Sequence, residues 1–382
     1  MVILDVADFK LINGTYGTKK GNEVLVYLSN AFRYYVKNGL LTRYEGDQLL
    51  GLFHSKVKMD VERINRNINK IAEEAPIPNI RIKVGIYEDV DTNLSIPIIC
   101  DRALMAEKSI SKDFKTNVAF YTDELNQKQL AQRQMENDFK SAIANREFKV
   151  YYQPKYDVNT ENIVGAEALV RWQKLDGTLI SPGAFIPLFE SDGLVVHLDE
   201  YVFESVCQFQ KERMENKLEI VPISVNLSRA SIHFSDVVER YVDIVNQKQI
   251  PFECVPIELT ESATLYSEKI LEITDQLVNA GFTLHMDDFG SGYSSLTSLN
   301  ELNFSAVKLD KSLIDYIDQV RGKKIVQQAI DLGHGLDMKV VAEGVESKEQ
   351  KDCLKEMHCD MIQGFYYSKP LKQEDFIEKL RA

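Results

Sequence analysis

The chain has 382 residues, with 45 Lys and Arg against 58 Asp and Glu, a formal net charge of -13 and 44% hydrophobic residues. That length suits about two globular domains. No apolar run reaches the ~18 residues of a membrane span, and the start lacks a secretory leader, so a cytoplasmic protein without a membrane segment is expected. The acidity speaks against a nucleic-acid polymer as partner, because coating phosphates takes many cations.

Residues 1–125 carry 17 basic and 17 acidic side chains, so the whole net charge lies beyond them. In this part, 5–17 reads as a strand end followed by a loop. Segments 41–44 and 48–53 read as strands about a turn at Glu45-Gly46. Next, 122–145 is rich in Gln, Ala, Leu, Glu and Lys without Gly or Pro, which predicts a linking helix. The domain boundary is placed in it, near residue 125. Five scattered cysteines without a C-x-x-C pair indicate neither a disulfide framework nor a thiolate zinc site.

Beyond the helix, short β-branched runs at 163–170, 221–225, 255–259, 282–286, 306–309, 339–342 and 361–365 alternate with longer amphipathic stretches. This alternation predicts an α/β protein with a largely parallel sheet, and its length suits a (β/α)₈ barrel. Polar residues recur at the run ends: Glu167, Asn226, Glu258, Asp287 with Asp288, Lys308, Glu343 and Gln363. On a parallel barrel these ends open on one face. Converging carboxylates would repel unless a cation stood among them. An oxygen-rich set suits Mg²⁺ or Mn²⁺ better than zinc, and Asp287-Asp288 is the expected bridging position between two ions.

In order and spacing, Glu167-Ala168-Leu169-Val170-Arg171, Asn226-Leu227-Ser228, Glu258-Leu259-Thr260-Glu261, Asp287-Asp288-Phe289-Gly290, Val307-Lys308-Leu309-Asp310, Ala342-Glu343-Gly344-Val345-Glu346 and Gln363-Gly364-Phe365 resemble the EAL-domain cyclic di-GMP phosphodiesterases. The resemblance covers about 137–382. It implies a TIM-like (β/α)₈ barrel that hydrolyses cyclic di-GMP to linear pGpG with two Mg²⁺ or Mn²⁺ ions. Glu167, Asn226, Glu258 and Asp287 are implied as ligands of one ion, and Asp287, Asp288 and Glu343 of the other. Lys308 would hold the attacking water and help deprotonate it, or only position it. Gln363 would fix a water or the substrate. Glu261 would anchor the mobile loop that begins at Asp287. Gln153 would contact guanine and Arg171 a phosphate, with Asp310 and Glu346 also on the substrate side. A homodimer is a family expectation. A receptor that binds cyclic di-GMP without hydrolysing it is the alternative; it loses ground because none of these ligand positions is changed.

Residues 1–125 resemble a shortened α+β GGDEF domain, the diguanylate cyclase module, with 126–136 linking it to the barrel. The departures are severe. The signature loop reads Glu45-Gly46-Asp47-Gln48-Leu49, Ala7 replaces an acid of the first metal motif, and Asn22 replaces a guanine-recognising Asp. The product-inhibition R-x-x-D is missing too, with Val36 and Gly39 at its charged positions. Asp5, Asp47, Asn13, Lys108 and Lys112 remain. The resemblance therefore implies a regulatory or scaffold module with at most a residual GTP site.

Overall fold

The computed structural model describes all residues except 37–38, 55–59, 111–115, 235, 265–267, 293–295 and 382. Two compact units are present, Met1–Gln134 and Met135–Ala382.

In the first unit the hydrophobic strand β1 (Val2–Val6) lies at the centre of a five-stranded sheet. It is antiparallel to β3 (Leu49–Leu52) on one side and to β4 (Ile82–Ile86) on the other. The sheet is completed by β2 (Leu40–Arg43) beside β3 and by β5 (Val118–Phe120) parallel to β4. Alternation along β1 sends Val2, Leu4 and Val6 into a core with Val24, Leu28, Phe32, Ile68 and Ile71, whereas Ile3 packs with Ile99 and Ala103. The sheet is thus covered on both faces. The hairpin expected about Glu45-Gly46 is β2–β3, with Arg43 opposite Leu49.

The predicted linking helix is Asp123–Ala144. The second unit is a closed eight-stranded barrel with a large aromatic and aliphatic core. Its strands are β6 (Phe148–Asp157), β7 (Ile163–Gln173), β9 (Ile223–Asn226), β10 (Ile257–Thr260), β11 (Leu284–Phe289), β12 (Ala306–Leu309), β13 (Lys339–Ala342) and β14 (Met361–Ile362), while the short β8 (Leu179–Ile180) hangs on β7 outside the ring. From β7 through β14 the ring is parallel. One strand departs from the eight-parallel pattern. β6 runs antiparallel to both neighbours and closes the ring between β14 and β7.

The sequence pattern did not announce β6. Its Phe-Lys-Val-Tyr-Tyr-Gln-Pro-Lys-Tyr-Asp carries charges and a proline, which ordinarily demotes a strand. Pro154 is tolerated because its opposite number, Ala166, donates its amide to Pro222 on the far side, and the register with β14 reaches no farther than Tyr156.

Candidate active site

Parallel strands bring their C-terminal ends to one rim, and the predicted polar residues meet there. Glu167 stands on β7, Asn226 ends β9, Glu258 lies on β10, Asp287 and Asp288 on β11, and Lys308 on β12. Glu343 follows β13 by one residue and Gln363 follows β14 by one. An open cavity of about 450 Å³ is lined by Gln153, Glu167, Asp287, Asp288, Lys308, Glu343, Glu346 and Gln363, among others.

Lys308, 1% exposed, is the hub. Its Nζ lies 2.7 Å from Glu258 Oε2, 2.8 Å from Glu343 Oε1, 2.9 Å from Asp287 Oδ1 and 3.2 Å from Glu167 Oε2. Burial disfavours its charge, but these four carboxylates outweigh burial and hold the ammonium well above the ordinary lysine range. The acids respond unequally. Burial raises Glu167 and Asp287 despite Lys308, and pushes Glu343 up to about 8. Glu258 is driven well below the carboxylate range: burial would raise it, yet Lys155 and Lys308 together prevail.

Adjacent residues on a regular strand face opposite ways, so Asp287 and Asp288 could not both serve one rim. The pairing of β11 with β12 shifts register between Met286 and Phe289, and Asp288 adopts a left-handed φ of 59°. This backbone strain at a non-glycine residue turns both carboxylates to the mouth. Two groups of carboxylate oxygens result, each within 4.8 Å of one another: Glu167, Glu258 and Asp287, then Asp287, Asp288 and Glu343. Asp287 belongs to both. Asn226 donates Nδ2 to Glu167 Oε1 at 3.0 Å, which leaves its carbonyl available as a ligand. This all-oxygen set fits hard divalent cations.

The remaining predicted residues are arranged less uniformly. Gln363 Nε2 donates to Glu167 Oε2 at 2.7 Å and to Gln153 Oε1 at 3.2 Å, so both amides join the cluster. Glu261 is buried beside it, not in it, accepting from Gly290 N at 3.4 Å at the start of the loop after β11. The loop's 293–295 lie outside the described residues. Glu346 lines the mouth but pairs with Lys311 at 2.9 Å. Asp310 caps the turn Lys311–Ile314 through Ser312 N. Arg171 donates to Val170 O at 2.8 Å with its guanidinium over Tyr151, and it lines an adjoining cavity of about 590 Å³, which shares Leu169 with the mouth, together with Asp199, Asn226 and Ser228.

Sequence reasoning missed two residues. Lys155, 3% exposed, donates to Glu258 Oε1 at 2.7 Å and to Ser224 Oγ at 2.8 Å. Its signal was its position two residues after Gln153 on one strand, which puts both on the same face. Asp199 accepts from Ser228 N at 2.9 Å and Ser231 Oγ at 2.7 Å, clamping the loop that follows Asn226. No sequence pattern marked it.

In the first unit Asp5 and Asp47 face one another electrostatically, and burial with Asp47 raises Asp5, while Gln48 is hydrogen-bonded to it. Glu107 is buried nearby and raised to about 7 by burial and by Asp5, with Lys83 at 4.0 Å. Asn13 Oδ1 is buried without a partner, and a Cβ at Gly21 would stand 2.0 Å from it. Lys112 lies outside the described residues. Among the described residues, both groups of three candidate metal ligands are in the barrel.

The profile of the EAL domain matches residues 136–370, and that of the GGDEF domain of diguanylate cyclases matches residues 1–110. Signaling protein YkoW of Bacillus subtilis is 29% identical over 98% of this chain and 48% of its own length. The bifunctional diguanylate cyclase/cyclic di-GMP phosphodiesterase MucR of Pseudomonas aeruginosa is 28% identical over 99% of this chain and 56% of its own length. The chain thus spans about half the length of the curated relatives it matches. Among solved structures, the MucR phosphodiesterase in complex with c-di-GMP is 32% identical, with a TM-score of 0.60, covering 64% of this chain and 99% of that one. The EAL enzyme Bd1971, with cAMP and cyclic di-GMP bound, is 28% identical with a TM-score of 0.62, covering 66% and 69%.

Proposed function

Because the chain belongs to the EAL-domain family over residues 136–370, we propose that its barrel hydrolyses cyclic di-GMP to linear pGpG with two divalent ions, Mg²⁺ or Mn²⁺. Water adds to one phosphorus, the P–O3′ bond breaks, and the product keeps a 5′-phosphate and a free 3′-hydroxyl. The observation that carries this reading is the pair of carboxylate groups sharing Asp287 about Lys308. When bound, two such ions neutralise phosphate charge and acidify the attacking water.

The chain's own residues take these roles. Glu167, Asn226, Glu258 and Asp287 hold one ion, and Asp287, Asp288 and Glu343 hold the other. Lys308, ringed by four carboxylate oxygens, donates hydrogen bonds, which favours positioning the water over accepting its proton. Gln363 keeps Glu167 in place. Glu261 anchors the loop after β11. Gln153 reads guanine, Arg171 takes a phosphate with its planar fork of donors, and Asp310 and Glu346 border the substrate.

We assign 1–125 to a regulatory or scaffold module, 126–136 to a link and 137–382 to the catalytic barrel; the division of the units after Gln134 supports this to within a few residues. The changes at Glu45 and Gln48 weigh against cyclase chemistry in the module, and with Asp5 and Asp47 remaining it keeps at most a residual GTP site. Homodimerisation belongs to the reading and is supported by exposed Tyr316, Val320 and Ile325 on the barrel. So does a cytoplasmic setting, supported by five unpaired cysteines. Among the described residues no helix is long and apolar enough to cross a membrane.

The test is incubation of the full chain with cyclic di-GMP and Mg²⁺ or Mn²⁺, following pGpG by chromatography. Product formation that is abolished by EDTA and by Glu167→Ala is expected. Tight binding of cyclic di-GMP without product from the wild type overturns hydrolysis in favour of a receptor.

A further inference from the structure

Glu258 is fully buried, 0% exposed, and its two oxygens are treated differently. Oε2 faces Lys308 at 2.7 Å in the cluster at the mouth. Oε1 faces inward to Lys155 at 2.7 Å, with His285 Nδ1 at 3.6 Å. Lys155 is fixed in turn by Ser224 Oγ at 2.8 Å, and that hydroxyl donates to Ala166 O at 3.2 Å. Four strands, β6, β7, β9 and β10, are thereby tied behind one carboxylate. Lys308 lines the mouth cavity, whereas Lys155 does not.

We infer that Lys155 is a positioning residue that immobilises Glu258 Oε1 from inside the barrel and leaves Oε2 as the one oxygen Glu258 offers to a divalent cation. This rests on the reading of the cluster as a metal site. The need for such a device follows from the neighbourhood. Without Lys155, the neighbour left beside Oε1 among the described residues is His285, whose Nδ1 comes no closer than 3.6 Å. The freed carboxylate would turn both oxygens to Lys308 and withdraw from the cation. Partners behind a ligand commonly affect metal affinity by about 10- to 100-fold for this reason.

The sign of the effect separates positioning from simple charge. Removing a cation near a metal site tightens divalent binding if the lysine acts only through its charge. Removing a clamp loosens it.

The experiment is calorimetric titration of Mn²⁺ into the full metal-free chain without substrate, for wild type, Lys155→Met and Ser224→Ala. Near-UV circular dichroism and thermal unfolding in EDTA establish which variants fold. Expected are a Kd for Lys155→Met weaker by about tenfold or more, and a change in the same direction for Ser224→Ala of about fivefold, the equivalent of one hydrogen bond. Turnover at limiting Mn²⁺ should fall in proportion. If Lys155→Met does not fold, Ser224→Ala, which keeps both charges, decides alone. Folded variants that bind Mn²⁺ as tightly as the wild type, or more tightly, overturn the positioning role. A wild type that binds no Mn²⁺ overturns the metal site itself, and the positioning role with it.

Discussion

Gln363 donates its side-chain amide to Glu167 Oε2 at 2.7 Å, joining the end of β14 to β7 across the mouth of the barrel. The same nitrogen reaches Gln153 Oε1 at 3.2 Å, so one amide orients two groups from two other strands. Glu167 cannot rotate freely while this bond and the one from Asn226 persist.

Gln363→Glu and Gln363→Leu should therefore differ. Leucine removes a donor to a buried carboxylate, at about 1–3 kcal/mol. Glutamate adds a like charge within hydrogen-bonding distance of Glu167, raising the pKa of the pair and costing more. Urea unfolding in EDTA and initial rates in Mg²⁺ should both rank wild type above Leu above Glu. An active, stable Glu variant would contradict this account of the bond.

Lys308→Met leaves Glu167, Asp287 and Glu343 without their shared cation, and Glu258 with Lys155 alone. Breaking a buried ionic cluster by removing one partner costs about 3–5 kcal/mol. The loss should be greatest in EDTA and partly reversed by Mn²⁺, because a cation bound only by the folded state stabilises it by mass action. Urea unfolding with and without Mn²⁺ measures both. Equal stabilities of variant and wild type in EDTA would remove Lys308 from its place as the organising charge.

Glu107 gives the first unit a pH dependence. It is 4% exposed, and its folded-state pKa is raised from 4.5 to about 7, so the folded chain holds this proton more tightly than the unfolded one. Protons bound in excess by the folded state make stability fall as pH rises. The fall should run from about pH 4.5 to about pH 7 and then level off, amounting to at most about 3 kcal/mol. Far-UV circular dichroism of urea unfolding between pH 5 and 8 should follow it. Glu107→Gln should flatten the slope and be the more stable form at pH 8. A wild type that gains stability across this window would refute the assignment.

Trp172 is the one tryptophan of the chain, so its fluorescence reports on the barrel unit alone. Its ring is fully buried against Phe148, Phe185 and Phe189, and its Nε1 donates to Glu147 Oε2 at 2.9 Å. Emission should be that of a buried indole and should shift to the red in urea. Trp172→Phe strands the buried Glu147 carboxylate as well as losing volume, whereas Trp172→Phe with Glu147→Leu leaves no orphaned acid. The double variant should recover about 1–3 kcal/mol of the single variant's loss. Additive losses would mean the hydrogen bond contributes nothing.

Much of the barrel and most of its rim could be read from the sequence, because both depend on local regularities. Strands declared themselves as β-branched runs at intervals set by one βα unit, and the motifs placed Glu167, Glu258, Asp287, Lys308 and Glu343 at run ends, which a parallel ring must gather on one side. The turn at Glu45-Gly46 between β2 and β3 was equally legible, since a glycine at a left-handed φ of 53° between two short strands is a local signal. What only the tertiary structure decided were relationships between distant segments. The antiparallel course of β6 past Pro154 depends on hydrogen bonds made by Ala166 and Pro222, which no local pattern carries. The turning of both Asp287 and Asp288 to one rim depends on a register shift against β12. Lys155 was unmarked in the sequence, and its role emerged only when β9 and β10 brought Ser224 and Glu258 to it. A buried charge is settled by its partners, and its partners here lie 69 and 103 residues away.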